Sequence, residues 1–222
     1  MASLAKYLAA GLEITQQAQV TALEKAADHW IVTMADGQTW TAAGIVLTAP
    51  VPQALALLKA GSVELEPAMQ DRLSVLQYER CLAVMAVLEG PSRVPPPGGL
   101  ALSEGAISWI ADNQQKGVSA TPAVTLHATD AFSVANWEQD RDEVARELLA
   151  AAAEWLGSAV VSFQIHGWRF SKPLQTDPQP CAVVSGHPPL VLAGDAFAGP
   201  RVEGAAVSGW AAAAAVEGCL PS

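Results

Sequence analysis

The residues best suited to chemistry lie in one stretch near the C-terminus: Leu190-Val191-Leu192-Ala193, then Gly194-Asp195, then Arg201-Val202-Glu203-Gly204-Ala205 and Ser208-Gly209. The apolar tetrad reads as a short buried strand with Gly194-Asp195 at its carboxyl end, followed after a loop by an Ala-rich helix from about Val202 to Val216. Ligands of α/β sheets gather beyond the carboxyl ends of strands, and a helix start presents free N–H groups with partial positive charge. An Asp there can accept hydrogen bonds from a sugar or ribityl hydroxyl. The absence of side chains beyond a methyl at Gly204, Ala205 and Ala206 would let a flat ring lie against the backbone, where amides could hold a developing negative charge. An Ala-rich helix alone is a packing helix; the Gly-Asp ahead of it turns the reading toward a ligand.

The elements that must position this stretch are mixed. Residues 1–77 open with a helix that Ser3 can cap and Gly11 stops, followed by strands. His29 to Met34 and Gln38 to Thr41 flank Asp36-Gly37, a hairpin turn pair. Gly44 to Ala49 is a continuous apolar run, the pattern of a strand buried on both faces. Helices follow over Gln53–Lys59 and from about Pro67. Residues 78–175 are strand-rich: Cys81–Leu88, then Ala106–Ala111 and Ala123–Ala128 around a polar hairpin loop, and Val160–Phe170 alternating apolar with polar. They also carry one long helix, Asn136–Leu156, with Val144, Leu148, Ala151 and Trp155 at helical spacing. Residues 176–222 return to the texture of the first part. The expected fold is therefore α+β, an incomplete α/β layer interrupted by an antiparallel-sheet domain with a long helix.

Composition narrows the partners. Of 222 residues 51% are hydrophobic and 15% charged, against roughly 25% charged in an average soluble domain, so much of the chain should be covered. The formal net charge of −10 and the scattered basic residues argue against nucleic acid or an anionic membrane surface. The longest nearly uncharged apolar stretch, Gly204 to Val216, is too short and Ala-rich to span a bilayer. Three widely spaced cysteines fit neither a disulfide scaffold nor a zinc site. A reducing cytoplasm, a small-molecule substrate and no metal are the expectations.

The C-terminal stretch resembles the flavin-dependent amine oxidase superfamily, most closely its renalase-like NAD/FAD-dependent branch. There, Gly-Asp, six or so residues, then Glu-Gly-Ala and Ser-Gly line FAD. The resemblance implies that Gly194 and Asp195 meet the pyrophosphate and ribityl chain, that Val202, Glu203, Gly204 and Ala205 meet the pyrimidine side of the isoalloxazine, and that Arg201 also belongs to the cofactor site. Met1-Ala-Ser-Leu-Ala-Lys6 is similar to the family's segment entering its second FAD-contacting region, Val20 falls where a backbone contact to adenine is usual, and Leu47-Thr48-Ala49-Pro50-Val51-Pro52-Gln53 resembles its Thr-Ala-Pro-x-Pro-Gln crossover. Ser108-Trp109-Ile110-Ala111-Asp112-Asn113 and His166-Gly167-Trp168-Arg169-Phe170-Ser171 resemble substrate-domain signatures. By this resemblance 1–77 and 176–222 are parts of an FAD-binding domain and 78–175 a substrate domain, and the activity is hydride transfer from a dihydronicotinamide-like or amine donor to flavin and then to oxygen.

One departure stands against these matches: no Gly-x-Gly-x-x-Gly occurs in the 222 residues. The chain is therefore expected to be the C-terminal portion of such an enzyme, unable to hold FAD tightly alone. A truncated chain, a split enzyme whose other half is a second chain, and a flavin-free binding or interaction module are all open, and a homodimer would cover exposed apolar surface.

Trp109, Trp168 and His127 are the candidate catalytic residues, although His127 sits between apolar strand residues, which favours a hydrogen-bonded core histidine over one facing the flavin. Trp30, Trp40, Trp137 and Trp155 fit plain packing. Arg169 suits either an anionic substrate group or a structural salt bridge. Cys81 and Cys219 read as buried and inert.

Overall fold

The computed structural model describes residues 2–219; Met1, the first residue of the N-terminal segment compared above, lies outside them. The chain forms two compact units, Met1–Leu76 with Thr176–Ser222, and Gln77–Gln175. The first unit begins with α1 (Ala2–Leu8), so Ser3 lies within the helix and not at its cap. Strands β1 (Val20–Lys25), β2 (Trp30–Met34) and β3 (Thr39–Ala42) then form an antiparallel meander, the β2–β3 turn falling at Asp36-Gly37, where the Asp36 Oδ1 accepts the Gln38 N–H at 2.9 Å. Trp30 is fully buried, and its indole N–H donates to the carbonyls of Pro188 and Pro189 at 3.2 and 3.1 Å. Trp40, expected to pack, is 44% exposed on β3, where no residue is buried.

Strand β4 (Ile45–Leu47) leads directly into α2 (Val51–Ala60), with Pro50 at the N-cap and Pro52 in the first turn, where a missing N–H costs nothing. Val51, Ala54 and Leu58 bury one stripe of α2 against the unit, and α3 (Pro67–Ser74) follows.

The second unit is an antiparallel sheet of five strands, β5 (Tyr78–Leu88), β6 (Gly99–Ala101), β7 (Ile107–Asp112), β8 (Ala123–Ala128) and β9 (Val160–Pro173), in the order β6-β7-β8-β5-β9. Between β8 and β9 come α4 (Asp130–Ala135), α5 (Arg141–Ala151) and α6 (Ala153–Leu156). The single helix expected from Asn136 does not form. The Asp140 carboxylate accepts the N–H groups of Asp142 and Glu143, both at 3.0 Å, and so starts α5 at Arg141, while Ala152 caps its other end. Leu82, Val84, Ala86 and Leu88 of β5 with Val124, Leu126 and Ala128 of β8 pack under Val144, Ala145, Leu148 and Ala152, all buried. Side chains alternate along a strand, so this buried set leaves the other face of the sheet uncovered by these helices.

The chain returns to the first unit through β10 (Ala182–Gly186), β11 (Pro189–Leu192) and α7 (Val202–Glu217). β11 is buried throughout and lies between β10, antiparallel, and β4, parallel. α7 packs on β4, β10 and β11. The apolar run at β4 was expected to be buried on both faces, yet Val46 is 41% exposed, because β4 is the edge strand and α7 covers one face of it. Among the described residues no helix is long and apolar enough to cross a membrane.

Candidate functional site

Two arrangements, one in each unit, hold the residues singled out from the sequence. In the first unit the parallel register Leu190 to Ile45, Val191 to Val46 and Leu192 to Leu47 aligns the carboxyl ends of β11 and β4. The Ala193 N–H continues the ladder by donating to the Leu47 carbonyl at 3.1 Å, and the Thr48 carbonyl lies beside Gly194. Thr48-Ala49-Pro50 and Gly194-Asp195, 146 residues apart from Thr48 to Gly194, thus become neighbours where two parallel strands end and the helices α2 and α7 begin.

Gly194 adopts φ +135°, a backbone region that side chains disfavour, and its N–H donates to the buried Ser208 Oγ at 2.9 Å. This bond ties the strand end to the second turn of α7. Asp195 is half-buried. Arg201 stands at the N-cap of α7 without a side-chain cap bond, and Arg201, Val202 and Glu203 are exposed, so the first-turn amides of α7 are left to other acceptors. Ala205 is half-buried. Val20 lies on β1, an edge strand, opposite Met34.

Gly204 behaves differently from the sequence expectation. Its Cα does not open toward space for a ring: a Cβ there would collide with the Gly199 carbonyl oxygen and approach the Ala198 carbonyl oxygen to 2.9 Å. The glycine is needed because the loop before α7 folds back against the helix's first turn. Any ring must therefore meet α7 through the exposed side bearing Val202 and Glu203.

In the second unit the face of the sheet turned away from the helices carries the other candidates. Trp109 on β7 pairs with His127 on β8, which pairs with Ala83 on β5, which pairs with His166 on β9, a row running across four strands. Trp168, one pleat further along β9, is 54% exposed, opposite Cys81, and packs edge-on against His166 with ring centroids 4.5 Å apart. Trp109 is half-buried and held by a close approach to β6: a Cβ at Gly99 would come within 2.7 Å of its Cζ2. Trp109 and His127 are therefore neighbours, while Trp168 lies two strand spacings, about 10 Å, from His127 and three, about 14 Å, from Trp109. Met85, 40% exposed, and Val87 extend the face with apolar surface that sequence reasoning missed; their alternation with Val84, Ala86 and Leu88 was the available signal.

His127 is not a core histidine. It is exposed on this face and lines a cavity of about 430 Å³ with Glu79, Arg80, Cys81, Ser108, Ser171 and Lys172. Desolvation by the cavity walls holds its pKa below the ordinary histidine value, and nearby Lys116 adds to the effect. The imidazole is neutral at pH 7. A proton-exchange titration by NMR should show the His127 ring titrating below the peptide value of about 6.5; a midpoint at or above that value would refute the assignment. Cys81, in the same cavity, is buried, and burial pushes its thiol up despite a Ser171 hydrogen bond, which disfavours the thiolate. Cys219, expected to be buried, is half-exposed after the end of α7. Arg169 makes no ion pair among the described residues; it lies over the Trp137 ring on the helix-covered side.

The sequence profile described as flavin-containing amine oxidoreductase matches residues 1–217. Among solved structures, a protein of Exiguobacterium sp. 255-15 provisionally assigned as a protoporphyrinogen oxidase is 19% identical with a TM-score of 0.67, covering 98% of this chain and 49% of its own. A CLA-producing fatty acid isomerase from P. acnes is 11% identical with a TM-score of 0.65, covering 97% of this chain and 51% of its own. Putrescine oxidase bound to putrescine is 15% identical with a TM-score of 0.59, over 98% and 51%. These likenesses are likenesses of fold, and the chain spans about half the length of each of these proteins. With its sequence matched nearly from end to end, the chain belongs to the flavin-containing amine oxidoreductase family, whose cofactor is a flavin.

Proposed function

We propose that this chain is the substrate-holding and flavin-edge portion of an FAD-dependent oxidoreductase of the renalase-like kind, acting on a dihydronicotinamide-like donor or, second, on an amine. The observation that carries the reading is the parallel pairing of β4 with β11, which sets Thr48–Pro50 beside Gly194-Asp195 at the starts of two helices. FAD held there would supply a hydride acceptor and a route for two electrons to oxygen. The Asp195 carboxylate accepts hydrogen bonds from polyol hydroxyls. The uncapped first-turn amides of α7, at Val202 and Glu203, favour negative charge on the ring edge that meets them, with Arg201 and Ala205 flanking. Gly204 lets α7 start close to its own loop and so fixes where those amides point. Val20, on the edge strand β1, is the backbone contact assigned to adenine.

Trp109 and Trp168 offer the donor ring flat apolar surface and displace water, and neutral His127 gives it a hydrogen bond without adding charge. A hydride donor needs no general base, which agrees with a face that offers a neutral His127 beside a buried thiol, Cys81. In this reading the protein works in the cytoplasm, and the Gly-x-Gly-x-x-Gly unit for the ADP half comes from a preceding segment or a second chain.

The test is FAD titration of the chain alone and of the chain joined at its N-terminus to a relative's strand–Gly-x-Gly-x-x-Gly–helix unit. The joined protein should take up FAD at least a hundredfold more tightly, with quenched flavin fluorescence, and Asp195→Ala should weaken uptake tenfold or more. A joined protein that folds but stays colourless would overturn the proposal in favour of a non-catalytic interaction module.

A further inference from the structure

On the helix-covered side of the second unit, remote in the pleat from the His127 row, three arginines converge on one tryptophan. The guanidinium carbons of Arg80 and Arg141 each lie 5.0 Å from the Trp137 ring centroid, and that of Arg169 lies at 5.9 Å. Three of the chain's arginines thus meet at one indole in a protein with only 12 basic residues and a net charge of −10. None of the three guanidinium groups pairs with a carboxylate among the described residues. Several acids near them in sequence are engaged elsewhere: Glu79 faces Lys172 at 3.4 Å, Asp130 accepts the Arg80 main-chain N–H at 2.7 Å, Asp140 caps α5, and Asp142 faces Arg146 at 3.9 Å. The Arg141 Nη1 is buried without a hydrogen-bond partner. An indole face attracts cations, but it offsets the mutual repulsion of three charges only in part.

We propose that Arg80, Arg141 and Arg169 on Trp137 form a binding site for a doubly charged phosphoryl group. Guanidinium groups are donors only, and their planar forks match the oxygens of a phosphate. A carboxylate would neutralise one of three charges; a dianion leaves the cluster near balance and supplies several acceptors to the accessible guanidinium N–H groups, those of exposed Arg169 first. Trp137 acts as the rigid spacer that holds the forks apart, and Gly167 makes room for it: a Cβ there would meet the Trp137 Cη2 at 3.1 Å and Arg141 Nη2 at 3.5 Å. The site does not rest on the flavin reading: it is built from the face away from Trp109 and Trp168, although Arg80 also borders the His127 cavity.

The experiment follows the arginine Nε–Hε NMR resonances of the whole chain, without FAD, during titration with inorganic phosphate, inorganic pyrophosphate or a nucleoside diphosphate, each against sodium chloride at matched ionic strength. The Arg141 and Arg169 signals should shift saturably with the phosphates and not with chloride. Tighter binding of the nucleoside diphosphate identifies a phosphate ester as the source, and equal or tighter binding of the inorganic ions identifies free phosphate. Arg169→Gln, at an exposed position, should weaken binding tenfold or more, whereas Arg146→Gln, a surface control, should not change it. Shifts equal to those with chloride, or an unchanged affinity in Arg169→Gln, would overturn the proposal. Should Arg141→Gln fail to fold, the wild-type titration and Arg169→Gln still decide it.

Discussion

Gly204→Ala should destabilise the first unit by about 1–3 kcal/mol, while Gly209→Ala, five residues further along the same helix, should stabilise it by up to ~1 kcal/mol. Both substitutions gain the same helix propensity, because alanine orders less chain entropy than glycine. They differ in what the new methyl meets. At Gly209 there is nothing within 4 Å, whereas at Gly204 the methyl runs into the Gly199 and Ala198 carbonyls. Those are backbone atoms and cannot swing aside like a side-chain tip, so the loop 198–200 or the first turn of α7 has to move. Chemical denaturation of the two variants checks this, and equal signs would show that the loop does not pack on the helix start as described. In the protein carrying the added Gly-x-Gly-x-x-Gly unit, Gly204→Ala should also weaken FAD uptake, since the amides at Val202 and Glu203 would turn with the helix.

The largest stability effect is expected at Asp177. Its side chain is 2% exposed and holds Arg72 of α3 in a two-point pair, Nε to Oδ2 at 2.6 Å and Nη2 to Oδ1 at 2.8 Å, while the Gln179 N–H donates to Oδ1 at 2.8 Å. Asp177→Asn should cost about 3–5 kcal/mol, the cost of breaking a buried pair, toward the lower end because the Arg72 side chain is one-third exposed and can recover water. Arg72→Lys should recover part of the loss of Arg72→Ala, keeping the charge without the fork.

The same pair makes stability depend on acid. Burial pushes the Asp177 carboxyl up, but the Arg72 hydrogen bonds, the Gln179 amide and the Arg72 charge outweigh it, and the folded pKa lies below the ordinary carboxylate range. A group with a depressed folded pKa contributes fully above its unfolded value, about 3.9, and loses that contribution as pH falls through the lower folded value. Stability of the wild type should therefore drop below about pH 4 more steeply than that of Asp177→Asn; parallel curves would refute the assignment.

Much of this protein was legible because the signals are local. Strand β8 was readable to its ends from Ala123-Val-Thr-Leu-His-Ala128, and α7 to within a residue from the Gly-Asp, loop and Ala-rich run. The mixed fold followed from strand-period and helix-period stretches succeeding one another, and family membership from a motif confined to about twenty residues. The long helix was misread at its start because Asn136 closes α4, its Nδ2 donating to the Phe132 carbonyl, and it is the Asp140 carboxylate that reaches the free N–H groups and starts α5. Strand β10 was missed because Ala182–Gly186 has little strand pattern of its own and exists through pairing with β11.

What the amino-acid order determined alone is therefore the set of elements with strong periodicity and the chemistry-bearing stretch from Leu190 to Gly209. Tertiary structure decided everything that needs two distant segments to meet. It made Gly204 a packing glycine and not an open floor, brought Thr48 beside Gly194, turned His127 outward, joined Arg72 to Asp177 across 105 residues, and stacked Arg80, Arg141 and Arg169 on Trp137. The physical reason is that periodicity reports which face of an element is apolar, whereas a site depends on which side chain of another element stands opposite, and that is set by packing and register over the whole unit.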